Sequence, residues 1–128
     1  MLSESMAQPQ AAYWSSHPLQ IPNRKSSAGA TNEDVEFDVV PTGRQWVVNW
    51  LALENETSNF TEARVFIKGG GDEHYLLEEQ ALLADVLYWT DNPIYINEGR
   101  RLVVRFSGTT SGDVLAAYLT GFERKKVG

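Results

Sequence analysis

Hydrophobic and polar positions alternate most clearly between Ile94 and Phe122. Leu102, Val104 and Phe106 alternate with Arg101, Val103 and Arg105, the two-residue period of a half-buried strand. Gly108 and Gly112 bracket Thr109, Thr110 and Ser111 and predict a turn. Val114 to Phe122 predicts a second strand, with Leu115, Ala117 and Leu119 on one face. Val114, Ala116, Tyr118 and Phe122 lie on the other. A strand apolar on both sides is expected to be covered on both, in the middle of a sandwich or against another subunit.

Earlier segments repeat the pattern. Val35 to Val40 alternates Val35, Phe37 and Val39 with Glu36, Asp38 and Val40 and predicts a first strand. Pro41-Thr42-Gly43 predicts a turn, because Pro presets the first corner and Gly accepts a positive φ. Arg44 to Glu54 predicts the next strand, with Trp46, Val48, Trp50 and Ala52 on one face and Val47, Leu51 and Leu53 opposite. Trp46 and Trp50 are both expected in the core. Thr61 to Lys68 predicts a strand with Ala63, Val65 and Ile67 inward and Phe66 outward. Gly69-Gly70-Gly71-Asp72 predicts a reversal. His74 to Trp89 fits either a helical stripe or two short strands around a bend. The all-β context favours strand–loop–strand, with one helical turn near Gln80 to Ala84. Ile94 to Ile96 adds a short strand. Six to eight short strands in about 90 residues predict an antiparallel sandwich or barrel.

Residues 1–34 read differently. Pro9, Pro18 and Pro22, many Ser, Gln and Ala, and no sustained period predict an extended N-terminal arm. Tyr13, Trp14, Leu19 and Ile21 are embedded in it. Four large apolar groups in a segment without a core need a surface, on their own body or on a neighbour. Burying each fully is worth about 1.5–3 kcal/mol. Ordering each backbone residue costs about 1–2 kcal/mol. Such an arm therefore needs backbone hydrogen bonds as well, as an added β-strand would give it.

Composition narrows the partners. The net charge of −6 argues against affinity for nucleic-acid backbones or anionic membranes. Residues 1–34 carry two basic and three acidic groups, and the remainder nine and fourteen, so the expected body holds most of the acidity. Arg124-Lys125-Lys126 is the one basic run and reads as a solvated tail. The absence of Cys excludes disulfides and thiolate chemistry. The first ten residues lack the basic and apolar regions of a signal peptide. No apolar run approaches the roughly 20 residues that span a bilayer. Asn55-Glu56-Thr57 and Asn59-Phe60-Thr61 match the glycosylation triplet but read as a polar loop.

No catalytic constellation emerges, and the chain is expected not to be an enzyme. His17 and His74 are too far apart in sequence to form a local metal pair. Asp72, Glu73, His74, Glu78 and Glu79 match no metal-ligand spacing and read as a solvated loop. No cofactor or metal is expected. Tyr88-Trp89 beside Asp91-Asn92 is the best candidate for an exposed aromatic pair, as a sugar-stacking platform would use. Phe66, Tyr88 and Trp89 are the candidate surface contacts.

PTGRQWVVNWLALE, ARVFIKGGG, PIYINEGRRLVVRFSG and GDVLAAYLTGF occur in that order over roughly two-thirds of the chain. Their order resembles the small jelly-roll capsid decoration, or cement, proteins of tailed bacteriophages. The resemblance implies an all-β, antiparallel jelly-roll-like β-sandwich at 35–124, an extended docking arm at 1–34 and a C-terminal tail at 125–128. It implies a virion protein on the capsid exterior, present in the host cytoplasm during assembly. Such a protein staples neighbouring major capsid proteins and occurs as a homo-oligomer, a dimer or trimer. Tyr13, Trp14, Leu19 and Ile21 would be the arm's partner-binding anchors. The alternative is a carbohydrate-binding or host-recognition module of a phage tail structure.

Overall fold

The computed structural model describes residues 14–126. Nine strands carry them: β1 (Trp14–Ser26), β2 (Asn32–Glu36), β3 (Arg44–Asn55), β4 (Phe60–Gly69), β5 (Asp72–Leu82), β6 (Tyr88–Thr90), β7 (Ile94–Asn97), β8 (Arg101–Ser107) and β9 (Val114–Lys126). Among the described residues there is no helix, and so none long and apolar enough to cross a membrane. The one helical turn expected near Gln80 to Ala84 is absent. Strand β5 runs through Ala81, which takes a positive φ of 57°, to Leu82, which is 1% exposed.

Two antiparallel sheets pack face to face. Sheet A has the order β1-β9-β3-β6, with β7 also on β3. Sheet B has the order β2-β8-β4-β5. The pairings nest: β1 with β9, β2 with β8, β3 with β6 and β7, β4 with β5. This is one long hairpin folded over on itself, the strand order of a jelly roll. Its tip is the β4–β5 turn, where Gly70 and Gly71 both hold positive φ as a two-residue turn between right-twisted strands requires. Inward side chains of both sheets form one core, including Val48, Leu51, Val65, Leu102, Phe106 and Leu119.

The expected domain boundary at residue 34 falls inside β2. Trp14–Ser26 is the edge strand of sheet A, paired with β9 from Trp14↔Lys126 to Ser26↔Val114. Leu19 and Ile21 are half-buried and pack against the chain's own core. The backbone hydrogen bonds that an arm needs are thus supplied in part by the same chain. The tail expected at 125–128 continues as strand through Lys126, and Arg124 bonds the Gln45 side-chain oxygen. Tyr13 and the rest of residues 1–13 lie outside the described residues, as does the side chain of Trp14. The strand expected at Val35–Val40 ends at Glu36. Beyond it the chain is held by Phe37 N–H donating to Leu102 O and Val40 N–H to Arg100 O. This kink buries Phe37 and Val40 and leaves Val39 44% exposed, against the expected alternation.

Strand β3 departs from simple alternation too. Its register with β9 slips between Val48 and Trp50, a β-bulge around Asn49. Trp46 and Val48 point inward before the bulge, and Leu51 and Leu53 after it. Trp50, expected in the core, lies instead on the outer face and is half-buried. Gly121 sits opposite Val48. A Cβ at this position would collide with the Val47 carbonyl oxygen and lie 2.9 Å from Val48 Cα. Gly121→Ala is therefore expected to destabilise the fold by about 3 kcal/mol, against less than about 1 kcal/mol for Thr120→Ala next to it. Urea unfolding of the two variants checks this.

Candidate interaction surface

Residues paired across neighbouring strands share a face of the sheet and lie about 5 Å apart. On the outer face of sheet A one row runs Tyr95–Val47–Phe122–Pro18. A second runs Trp89–Ala52–Tyr118–Pro22. Between them lies Trp50–Thr120–Gln20. The two outer rows are about 13 Å apart, four residues along β9. In each a small residue on β3 is flanked by aromatic rings. Val47 and Ala52 are covered, at 4% and 0% exposure, while Trp89 and Tyr95 stand out at 61% and 56%. Trp50, Tyr118 and Phe122 are half-buried. The result is a sheet face of five aromatic rings with no ionised side chain in any of the three rows.

Polar ladders close it at both ends. At one, the Tyr118 hydroxyl donates to Glu54 Oε1 at 3.1 Å, Arg24 reaches the Tyr118 hydroxyl at 3.4 Å, and Arg24 pairs with Glu56 at 3.0 Å. At the other, Gln45 Nε2 donates to Asn97 Oδ1 at 2.9 Å, and Arg124 binds the Gln45 oxygen.

The outer face of sheet B is built for water. Arg105 forks onto Asp34 at 2.8 and 3.0 Å, and Arg64 pairs with Glu78 at 2.8 Å. Arg101 and Lys68 share Glu36 at 2.9 and 3.3 Å. The hydrogen bonds that Arg105 donates to Asp34, stronger than the cost of burial, raise the Arg105 pKa above its ordinary value. Exposed pairs add little stability each, but together they leave this face few apolar openings. Phe66 does point outward, as the alternation predicts, yet it is 0% exposed. The Arg105 guanidinium lies 4.8 Å over its ring, and the Tyr75 ring lies 4.9 Å away. Phe66 is thus no surface contact. Tyr88 turns inward against the core, and its hydroxyl accepts from Leu83 N–H. Of the three expected surface contacts, Trp89 alone is exposed. The structure brings it together with Trp50, Tyr95, Tyr118 and Phe122, which sequence reasoning did not group. The missing signal was the bulge at Asn49, which sends Trp50 and Ala52 outward.

No family model matches the chain, and no curated protein matches its sequence. Solved structures are similar to it at low identity. A protein of Bacillus endospore appendages, described as disulfide-linked pili, is 13% identical over 91% of this chain and 90% of that one, with a TM-score of 0.49. PRD1 vertex protein P5 is 9% identical over 85% and 73%, with a TM-score of 0.43. The family 32 carbohydrate-binding module of C. perfringens NanJ, solved with galactose, is 14% identical over 79% and 93%, with a TM-score of 0.44. The chain spans 21% of a Bacteroides thetaiotaomicron chain described as an alpha-L-fucosidase. The jelly-roll assignment rests on the strand order and borrows nothing from these likenesses.

Two buried carboxylates lock the sandwich beneath and beside the aromatic face. Asp113 accepts from Asn55 Nδ2 at 2.9 Å, the Ser58 hydroxyl at 2.8 Å and Thr110 N–H at 2.8 Å, tying the β3–β4 and β8–β9 loops together. Glu123 accepts from Trp46 Nε1 at 2.9 Å and from Arg44. Burial pushes each carboxyl up. The donors outweigh it and hold both below the ordinary carboxylate range, with Arg44 and His17 adding charge beside Glu123. A carboxyl that sits lower in the folded chain stabilises it fully above the ordinary values, 3.8 for Asp and 4.5 for Glu. That contribution is lost as pH falls through the folded values. Asp113→Asn is therefore expected to cost roughly 1–3 kcal/mol at neutral pH and progressively less as pH falls below the ordinary value of 3.8. Urea unfolding across that range checks it, and an equal cost at every pH would contradict it.

Proposed function

We propose that this chain is a non-enzymatic virion protein that decorates the outside of a capsid and holds neighbouring major capsid proteins together. The observation that supports it is the outer face of sheet A. Aromatic residues are enriched, and charges depleted, at the centre of protein interfaces, with a polar rim around them. Trp50, Trp89, Tyr95, Tyr118 and Phe122 make such a centre, and the Tyr118–Glu54–Arg24 and Asn97–Gln45–Arg124 ladders make such a rim. The resemblance of the PTGRQWVVNWLALE to GDVLAAYLTGF segments to cement proteins points the same way.

Scale says how such a protein would hold on. Four strands side by side and about nine residues of length present roughly 600 Å², below the ~800 Å² per partner of a standard interface. One copy should bind modestly. A homo-oligomer, or many copies on a shell, gains its grip through linked contacts. With Leu19 and Ile21 engaged by the chain's own core, stapling among the described residues falls to the sheet face.

A second reading is a carbohydrate-binding module. It is favoured by Trp89 and Tyr95, two exposed rings on a flat face, to which the apolar side of a pyranose ring could stack. One double variant separates the two. Trp89→Ala with Tyr95→Ala alters only exposed groups, and its melting temperature should match the parent. Truncating an interface anchor typically costs 2 kcal/mol or more, about 30-fold in Kd. Co-sedimentation with capsids stripped of this protein should show at least that loss. Unchanged sedimentation would overturn the capsid reading, and retention on a glycan array lost in the same variant would establish the second.

A further inference from the structure

The two sides of the sandwich are finished differently. On one side lie the edge strands β1 and β2. Pro18 and Pro22 remove two N–H donors from β1. Asn23 Nδ2 donates to Glu36 O at 2.6 Å, and Lys25 Nζ to Asp34 O at 3.1 Å, so side chains from β1 occupy carbonyls of β2. That side is sealed against strand addition. On the other side lie β5 and β6. Strand β5 pairs with β4 alone, contains no proline, and is exposed along almost its whole length. Beside it the two sheets part over a cleft of about 230 Å³. Leu51, Leu53, Val65, Leu77 and Tyr88 line it, with Glu79 at its mouth. A cleft of this size is smaller than the roughly 300–1,000 Å³ of small-molecule sites. It suits a few side chains of a strand.

We propose that the β5 edge and this cleft form a docking site for an extended segment of another protein, with alternating apolar and Lys or Arg residues, added to sheet B as a further strand. The stretch that pairs is Leu77–Gln80. It lies between the bulge opposite Val65 and Phe66 and the positive φ of Ala81. The segment's apolar side chains enter the cleft beside Leu77.

Charge sets the specificity. Strand β5 carries Asp72, Glu73, Glu78 and Glu79 and no Lys or Arg. Glu78 is engaged by Arg64 and Glu73 by Arg105. The Glu79 carboxylate makes no hydrogen bond or ion pair among the described residues and is exposed on the cleft side, opposite Ala63. An inward-pointing charge guards an edge strand against indiscriminate pairing. A neutral or acidic strand would strand this carboxylate away from water, whereas a basic one compensates it. A second copy is a poor occupant. Its β2 brings Glu33, Asp34 and Glu36 against an acidic edge, and its β1 is broken by two prolines.

The test uses the full chain, ¹⁵N-labelled, and two capped heptapeptides, one alternating lysine with valine and one glutamate with valine. At about 1 mM and 0.15 M salt the lysine peptide should slow exchange at least tenfold at those amides of Leu77–Gln80 that point away from β4, and the glutamate peptide should not. Glu79→Lys, a change at an exposed position, should reverse that preference. No slowing at these amides, equal slowing by both peptides, or protection appearing on β1 and β2 instead would overturn the proposal.

Discussion

The sandwich depends on a close backbone contact at the centre of sheet A. Gly121 of β9 lies against Val47 and Val48 of β3 with no room for a side chain. Next to that contact β3 carries one extra residue, Asn49. A shift of one residue exchanges the faces of everything beyond it. Here the shift places Trp46, Val48, Leu51 and Leu53 together in the core and turns Val47, Trp50 and Ala52 outward. Without it, either Leu51 and Leu53 or Trp46 and Val48 would face water. The core and the aromatic face are thus two consequences of the same local irregularity.

That irregularity also marks the limit of what the sequence discloses. Strands β4 and β8 have polar residues on their outer face, so period two reveals which side is in, and Ala63, Val65, Ile67, Leu102, Val104 and Phe106 were all legible. Strand β3 is apolar on both faces, and a register slip leaves no trace in such a pattern. Asn49, the one polar residue between Trp46 and Glu54, was its sole sign. Residues 14–26 depart from the expected arm for another reason. Prolines and weak periodicity describe an arm, but they equally describe an edge strand, where missing N–H donors face away from the sheet. What decides between them is a partner strand, β9, lying some hundred residues away in sequence. Alternation places Phe66 outward, yet cation and ring contacts from Arg105 and Tyr75 remove it from the surface.

The resulting body is asymmetric twice over. Across its thickness, the outer face of sheet B is laced with ion pairs, and that of sheet A is aromatic and uncharged at its centre. Across its width, the β1–β2 side is sealed by prolines and side chains, and the β5–β6 side is open over an apolar cleft. Stability alone requires neither asymmetry. On sheet B the outward ring of Phe66 is covered by Arg105 and Tyr75. Trp89 and Tyr95 are left uncovered on the opposite face, so the functional reading rests on that face, which keeps Trp89 from the sequence-based candidates and sets Phe66 and Tyr88 aside.

The same logic reallocates the work of the N-terminal segment. A strand paired over 13 residues with β9, with Leu19 and Ile21 against the core, is costly to detach. Donating it to a neighbour would strip β9 of one partner and expose part of the core at once, with no gain in hydrogen bonds over those it already makes. One-way donation of β1 is therefore disfavoured by its own pairing, and among the described residues a grip on a larger assembly falls to surfaces that are already idle. Sheet A's outer face and the β5 edge are such surfaces. They point in different directions, one normal to a sheet and one along its plane, so a chain using both would touch two different neighbours, which is the geometry that holding a shell together requires.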